Sequence, residues 1–276
     1  MITDEGTPAL GRSEEYEAFG PWILRVASPA DVPRVFAEFP FDFASCVVLK
    51  VPRDISRRDA RAGMHLYDRM IAVGNGALTV LVRTGDFFET TSLVVDEIAV
   101  IELGTELVEG WFAATDTSGV RIEIPFNGSS RPMISAVIDR LGPAYAPVAE
   151  PARPEAGTLD GLDVALVGEY HAIAGRRGLQ LLASQPATPP TLSGAILGAS
   201  DRELVLIGRR HWVRHSTRPD LSIQETVIVR RHLTASSTGG SAIAGVTAVR
   251  LRAGKATVEA LVPSDSPVVH ALLAAL

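Results

Sequence analysis

The sequence predicts a mainly β chain with capping helices, built as two similar halves. Three observations predict it. Short runs that alternate apolar and polar residues recur through both halves, as in ALTVLVRT (77–84), and a period of two marks a half-buried strand. Turn chemistry punctuates these runs, most clearly at Asn75-Gly76, where both residues tolerate the positive φ of a tight hairpin. Each half then ends on a proline-started amphipathic segment, from Pro132 and from Pro267.

The first half opens with SPADVPRVFAEF, where Ser28 as a cap and Val32, Val35, Phe36 and Phe39 on one face predict a short helix. Strands are expected at FASCVVLKV (43–51), LYDRMIAV (66–73) and ALTVLVRT, then at DFFETTSLVV, EIAVIEL and ELVEGWFAAT. After the Asp116–Gly119 turn, VRIEIPF sets Val120, Ile122, Ile124 and Phe126 on one face and Arg121 and Glu123 on the other. Ser129 or Ser130 caps a closing helix whose apolar stripe is Ile134, Val137, Ile138 and Leu141. The lone cysteine, Cys46, lies in an apolar run and reads as a buried small residue.

Composition shifts between Gly142 and Gly161. Pro143, Pro147, Pro151 and Pro154 among alanines read as a semi-extended linker. The expected domains are therefore residues 1–142 and 161–276, joined by a linker at 143–160. The second half repeats the grammar of the first. LQLLASQ leads into a stiff Pro186–Pro190 loop, and TLSGAILG and ELVLIGRR form a hairpin over residues 199–202. SIQETVIVRRHL, AGVTAVRLR and KATVEALVP follow, and a helix with Val268, Val269, Leu272, Leu273 and Leu276 on one side closes the chain. The shared order and the shared ending predict an internal duplication.

About seven antiparallel strands closed by one C-terminal helix resembles the pleckstrin-homology-like (PH-like) domain. The resemblance runs from about Phe43 to Leu141 and again from about Leu179 to Leu276. The run SRRDARAGMHLYDRM (56–70) is similar to a pattern in bacterial tandem proteins of that fold whose function is not established. The resemblance implies two curled antiparallel β-barrels or sandwiches, each closed by its C-terminal helix. It implies little about function, since such folds host lipid, peptide and protein binders alike.

The 276 residues carry a net charge of −6, which gives no global electrostatic case for nucleic acid. That sum hides an asymmetry. Residues 1–150 hold 13 Lys+Arg against 22 Asp+Glu, whereas residues 151–276 hold 13 against 10. One cysteine excludes an intrachain disulfide framework and a cysteine-based zinc site. No apolar run approaches the ~18 residues of a membrane span, and the acidic amino terminus has no secretory h-region. A cytoplasmic location is expected.

Two basic clusters are the candidate sites. The loop with Lys50, Arg53, Arg57, Arg58 and Arg61 sits where phosphoinositide-binding members of the resembled family clamp headgroup phosphates. Its spacing departs from theirs, and Asp54 and Asp59 offset two of its charges. The second cluster is Arg209, Arg210, Trp212, Arg214, Arg218, Arg230 and Arg231, a candidate interaction patch. His211 and His215 have the spacing of a helical zinc pair, but they lie in a segment read as strand, where four residues span about 13 Å. Phosphate-loop and nucleophile-elbow patterns are incomplete at Gly254-Lys255 and Gly239-Gly240. No catalytic signature, cofactor or metal site is expected. The functional expectation is a non-enzymatic binder of a protein, a peptide or a second copy, through strand addition at open sheet edges. Anionic lipid bound by the arginine loop is the alternative, and an enzyme with an interdomain site is the third.

Overall fold

In the computed structural model of the chain, the described residues are 14–61, 63–148, 158–188, 192–213 and 220–274. Arg214, His215, Arg218, Pro189, Pro190, Leu276 and residues 149–157 of the expected linker lie outside them. Fifteen strands in three antiparallel sheets and a few helices make the described structure mainly β. The sheets are open among the described residues, so the expected barrels are not closed.

The first sheet is a meander of β1 (Leu24–Val26), β2 (Val47–Pro52), β3 (Tyr67–Gly74), β4 (Ala77–Thr84) and β5 (Phe87–Val94). A short helix, α1 (Glu14–Ala18), precedes it. The expected hairpin joins β3 to β4, with Asn75 at φ 51° and Gly76 at φ 73°. The expected helix over 28–39 is instead two 3₁₀ turns, Pro29–Asp31 and Arg34–Phe36. Pro33 separates them, because a proline disfavours helical backbone at the residue before it and donates no hydrogen bond. The apolar stripe still does its work, since Val35 and Phe36 are buried beside Phe19, Tyr67 and Met70. Cys46 is half-buried, not buried, and Asn75 Nδ2 lies 3.7 Å from its Sγ.

A 3₁₀ turn, Val95–Glu97, leads into β6 (Ile98–Glu106), β7 (Glu109–Asp116), β8 (Arg121–Asn127) and α2 (Arg131–Leu141). The second half then runs α3 (Val164–Arg177), β9 (Gln180–Gln185), β10 (Ala195–Ala199), β11 (Glu203–Gly208) and β12 (Ile223–Val229). A second 3₁₀ turn, Arg230–His232, leads into β13 (Leu233–Gly240), β14 (Val246–Ala253), β15 (Ala256–Pro263) and α4 (Pro267–Leu273). The two halves thus share an order of elements, with β1 an extra strand at the start of the first: four strands (β2–β5 and β9–β12), a 3₁₀ turn, three strands, a helix.

The two halves share a sheet. The central sheet has the order β8-β7-β6-β12-β11-β10-β9, with β6 from one half paired to β12 from the other. The register runs from Ile223 opposite Thr105 to Ile228 opposite Val100. The third sheet, β13-β14-β15, and α4 bury Val249, Leu251, Val262, Val268 and Leu272 against Val100, Leu197, Leu206 and Ile228 of the central sheet. Two compact units result, residues 1–75 with 79–91, and residues 76–78 with 92–276. The division does not fall at the expected 143–160 linker. Part of that segment is packed: Tyr145 is buried, and the Val148 N–H donates to the Asp201 carbonyl at 2.7 Å.

The helix α3 was not among the expected elements. Its signals are present in the sequence: Asp163 accepts from the Ala165 N–H at 2.9 Å as N-cap, Leu166, Tyr170 and Ile173 make the buried stripe, and Gly178 ends it. In the central sheet, Gly104 sits opposite Trp111, and a Cβ there would lie 2.0 Å from the indole ring.

Two outcomes follow from this packing. Gly104→Ala should lower stability by about 1–3 kcal/mol in denaturant unfolding, because the indole must leave its place. A fragment beginning at residue 158 should be aggregated in light scattering while the full chain is not, since it leaves the apolar edge of β12 without β6.

Candidate functional site: a groove beside the open edge of β15

The strand β15 is the edge of the third sheet, and one side of it lines a groove of about 260 Å³. Four consecutive residues, Ala256 to Glu259, contribute to that wall. Successive strand side chains point to opposite faces, so a wall made by consecutive residues is the strand's edge, with its backbone groups, and not a face. The hairpin fixes which groups those are. A two-residue turn with Gly254 at φ 59° makes Ala253 and Ala256 a hydrogen-bonded pair. The Val258 backbone then also faces β14, and the N–H and C=O groups of Thr257 and Glu259 face outward.

The turn at the start of β15 is anchored. The Lys255 N–H donates to the Thr117 carbonyl at 2.9 Å, which holds β15 against the β7–β8 turn. The groove floor is the polar strip of the central sheet. Arg121 Nη1 lies 2.5 Å from Glu102 Oε2 and donates to Thr115 Oγ1 at 3.2 Å, and Arg121 Nε donates to Glu123 Oε1 at 2.6 Å. Burial opposes the charge on Arg121, but the Glu123 and Glu102 bonds outweigh it and raise its pKa. Gln224 Nε2 reaches Thr226 Oγ1 at 3.3 Å. Leu206, Gly208, Arg209 and Trp212 also line the groove.

The candidate patch residues are thereby placed. Arg209 and Trp212 line the groove, whereas the other described arginines are drawn elsewhere. Arg209 donates to the Ser222 carbonyl and to Asp163 Oδ2, so its charge is spent on the cap of α3. Arg210 lies over the Trp111 ring at 4.4 Å, not over Trp212, and 4.0 Å from Glu106. Arg230 donates to the Ser200 carbonyl at 3.1 Å, and Arg231 to the Asp96 carbonyl with its carboxylate at 3.2 Å. Arg214 is outside the described residues.

In the arginine loop, Arg57 opens a 3₁₀ turn and its guanidinium donates to the carbonyls of Phe19 and Glu17. Lys50 is buried over the Tyr67 ring at 4.8 Å and donates to the Asp31 carbonyl. Arg53 is half-buried, and Arg58 and Arg61 are exposed.

One cluster escaped the sequence reading. Arg177 at the end of α3 donates through Nε to Glu203 Oε1 at 2.6 Å and through Nη1 to Glu225, both carboxylates being almost fully buried. Arg131 at the start of α2 holds Glu169 at 2.7 Å and approaches Glu225 at 4.0 Å. Burial pushes the Glu225 carboxyl up from its ordinary range, against the pull of Arg177 and Arg131. The available signal was an acid inside each of two apolar strand runs, ELVLIG and IQETVIV. A buried charge needs a buried partner, but the sequence does not say which. Among the described residues no three His, Cys, Asp or Glu side chains converge as metal ligands, and no helix is long and apolar enough to cross a membrane.

Asp163 links α3 to the groove wall and gives a test. Burial alone would raise its pKa, but the Arg209 and Ala165 hydrogen bonds together hold it below the ordinary carboxylate value. Its stabilising contribution is therefore complete above about pH 4 and lost as pH falls through the lowered value. Asp163→Ala should cost about 1 kcal/mol in neutral unfolding experiments, with the difference from wild type shrinking in acid.

Compared with protein-family models, with curated proteins and with solved structures, the chain matches none, so the functional reading rests on the geometry above.

Proposed function

We propose that this chain is a non-enzymatic tandem of two PH-like domains that binds an extended peptide segment of a protein partner by strand addition along β15. The repeated order of four strands, a 3₁₀ turn, three strands and a helix supports the tandem reading. The observation that carries the binding reading is the edge of β15, whose outward Thr257 and Glu259 backbone groups border a formed groove. Main-chain hydrogen bonds to that edge would supply affinity, and the floor of Glu102, Arg121 and Gln224 would select side chains on alternate positions of the guest. The chain already uses the same device on itself, since β12 lies along β6.

Anionic lipid remains the second reading. It rests mainly on the exposed Arg58 and Arg61, because the guanidinium of Arg57, though exposed, is engaged by two backbone carbonyls. That weakens it relative to the groove.

Selection of displayed random peptides on the full chain tests the proposal. Enriched peptides should bind wild type and lose at least about tenfold in affinity to Thr257→Pro and to Glu259→Pro. Each proline removes an outward N–H and leaves the β14–β15 backbone bonds, and Glu259→Pro also removes the exposed Arg250–Glu259 ion pair, so Thr257→Pro should keep the wild-type melting temperature and Glu259→Pro should lose at most about 1 kcal/mol of stability. No enrichment, or equal binding by the folded proline variants, refutes strand addition at β15.

A further inference from the structure

The opposite edge of the third sheet points to a second function. The internal repeat equates β13 with β6: each follows a 3₁₀ turn, Arg230–His232 or Val95–Glu97, and each opens a three-stranded antiparallel set. The strand β6 is covered, since β12 pairs along it. The strand β13 ends its sheet. Among the described residues, one member of an equivalent pair is thus augmented by a neighbouring strand and the other is not.

The chemistry of β13 says what fits there. Its eight residues, Leu-Thr-Ala-Ser-Ser-Thr-Gly-Gly, carry no charge and no proline. Open edges are ordinarily guarded against other strands by lysine, proline or an inward charge, and the stretch Ser237–Gly240, exposed except at the half-buried Gly239, has none of these. Hydroxyl groups donate and accept alike, so Ser and Thr pair with Ser and Thr across a strand seam. An edge of this kind is complementary to itself.

The ladder also fixes its hydrogen-bonding phase. Arg252, Arg250 and Ala248 of β14 turn their backbone groups away from β15, so they bond Ala235, Ser237 and Gly239. The N–H and C=O groups of Ser236, Thr238 and Gly240 consequently face outward. An antiparallel copy related by a two-fold axis near Ser237 meets these groups with its own, and no like charges oppose each other in the seam.

We propose that two copies of the chain associate through β13, joining their three-stranded sheets into one of six strands. This rests on the strand-addition reading above but uses a different edge and commits to a second copy as the guest. A seam of one strand is at the small end of specific interfaces, below about 1,200 Å², so the dimer is weak and concentration-dependent.

Sedimentation equilibrium of the full chain over a wide concentration range tests it, with melting temperature as the check on folding. Wild type should move from monomer toward dimer as concentration rises. Thr238→Pro removes an outward N–H and leaves the β13–β14 bonds, while Ser237→Lys sets two ammonium groups against each other at the axis. Both should weaken the dimer at least about tenfold at unchanged melting temperature. Glu259→Pro should leave it intact. A wild type monomeric at every concentration overturns the proposal, as does a dimer indifferent to both β13 variants or lost in Glu259→Pro. Peptide binding at β15 with no dimer removes this inference alone, and a dimer with no peptide binding removes only the β15 reading.

Discussion

The pairing of β6 with β12 is the constraint on which the rest of the larger compact unit depends. Each strand comes from a different half of the chain, and neither half alone completes the seven-stranded sheet. The sheet in turn provides the floor against which the β13–β15 sheet and α4 bury their apolar faces. The β15 groove is where that covering layer stops, over the polar strip that carries Glu102, Arg121 and Gln224. The site is therefore a consequence of the pairing and not a decoration on it.

The buried charges reinforce the same join. Arg131 belongs to the first half, and Glu169, Arg177, Glu203 and Glu225 belong to the second. Taking these groups out of water costs free energy that apolar residues of like volume would not incur. What they contribute is selectivity, because a slipped register or a wrong strand neighbour would leave Glu225 or Arg177 buried without its counter-charge. The apolar strands around them are chemically alike and offer no such discrimination. In this respect the cluster does for the join what Asn75-Gly76 does for the β3–β4 hairpin, at long range where the hairpin turn acts locally.

Arginine is the residue whose role moved most between sequence and structure. Read along the chain, Arg209, Arg210, Arg230 and Arg231 look like one basic face. In three dimensions each turns to a different acid, ring or carbonyl, among them Asp163, Trp111, Ser200 and Asp96. A long side chain with a planar fork can reach in many directions from one stretch of backbone, so linear clustering of arginines is a poor guide to a surface patch. Arg57 repeats the lesson, since its guanidinium is taken up by the carbonyls of Glu17 and Phe19.

The sequence by itself determined the local events: the strands with period-two burial, the tight β3–β4 turn, the proline-started helices α2 and α4, and the common order of the two halves. These follow from backbone sterics and from side-chain periodicity within a few residues, which is information the linear chain carries. It also held the cap, stripe and glycine that form α3, though the proline-rich stretch before them drew the reading toward a linker. Only the tertiary structure decided that the two halves share a sheet, that Glu225 meets Arg177 across 48 residues, and that β15 presents its backbone to a groove. Strand partners are chosen by long-range packing among many strands of similar apolar pattern, and edge or interior is a property of the sheet, not of the strand.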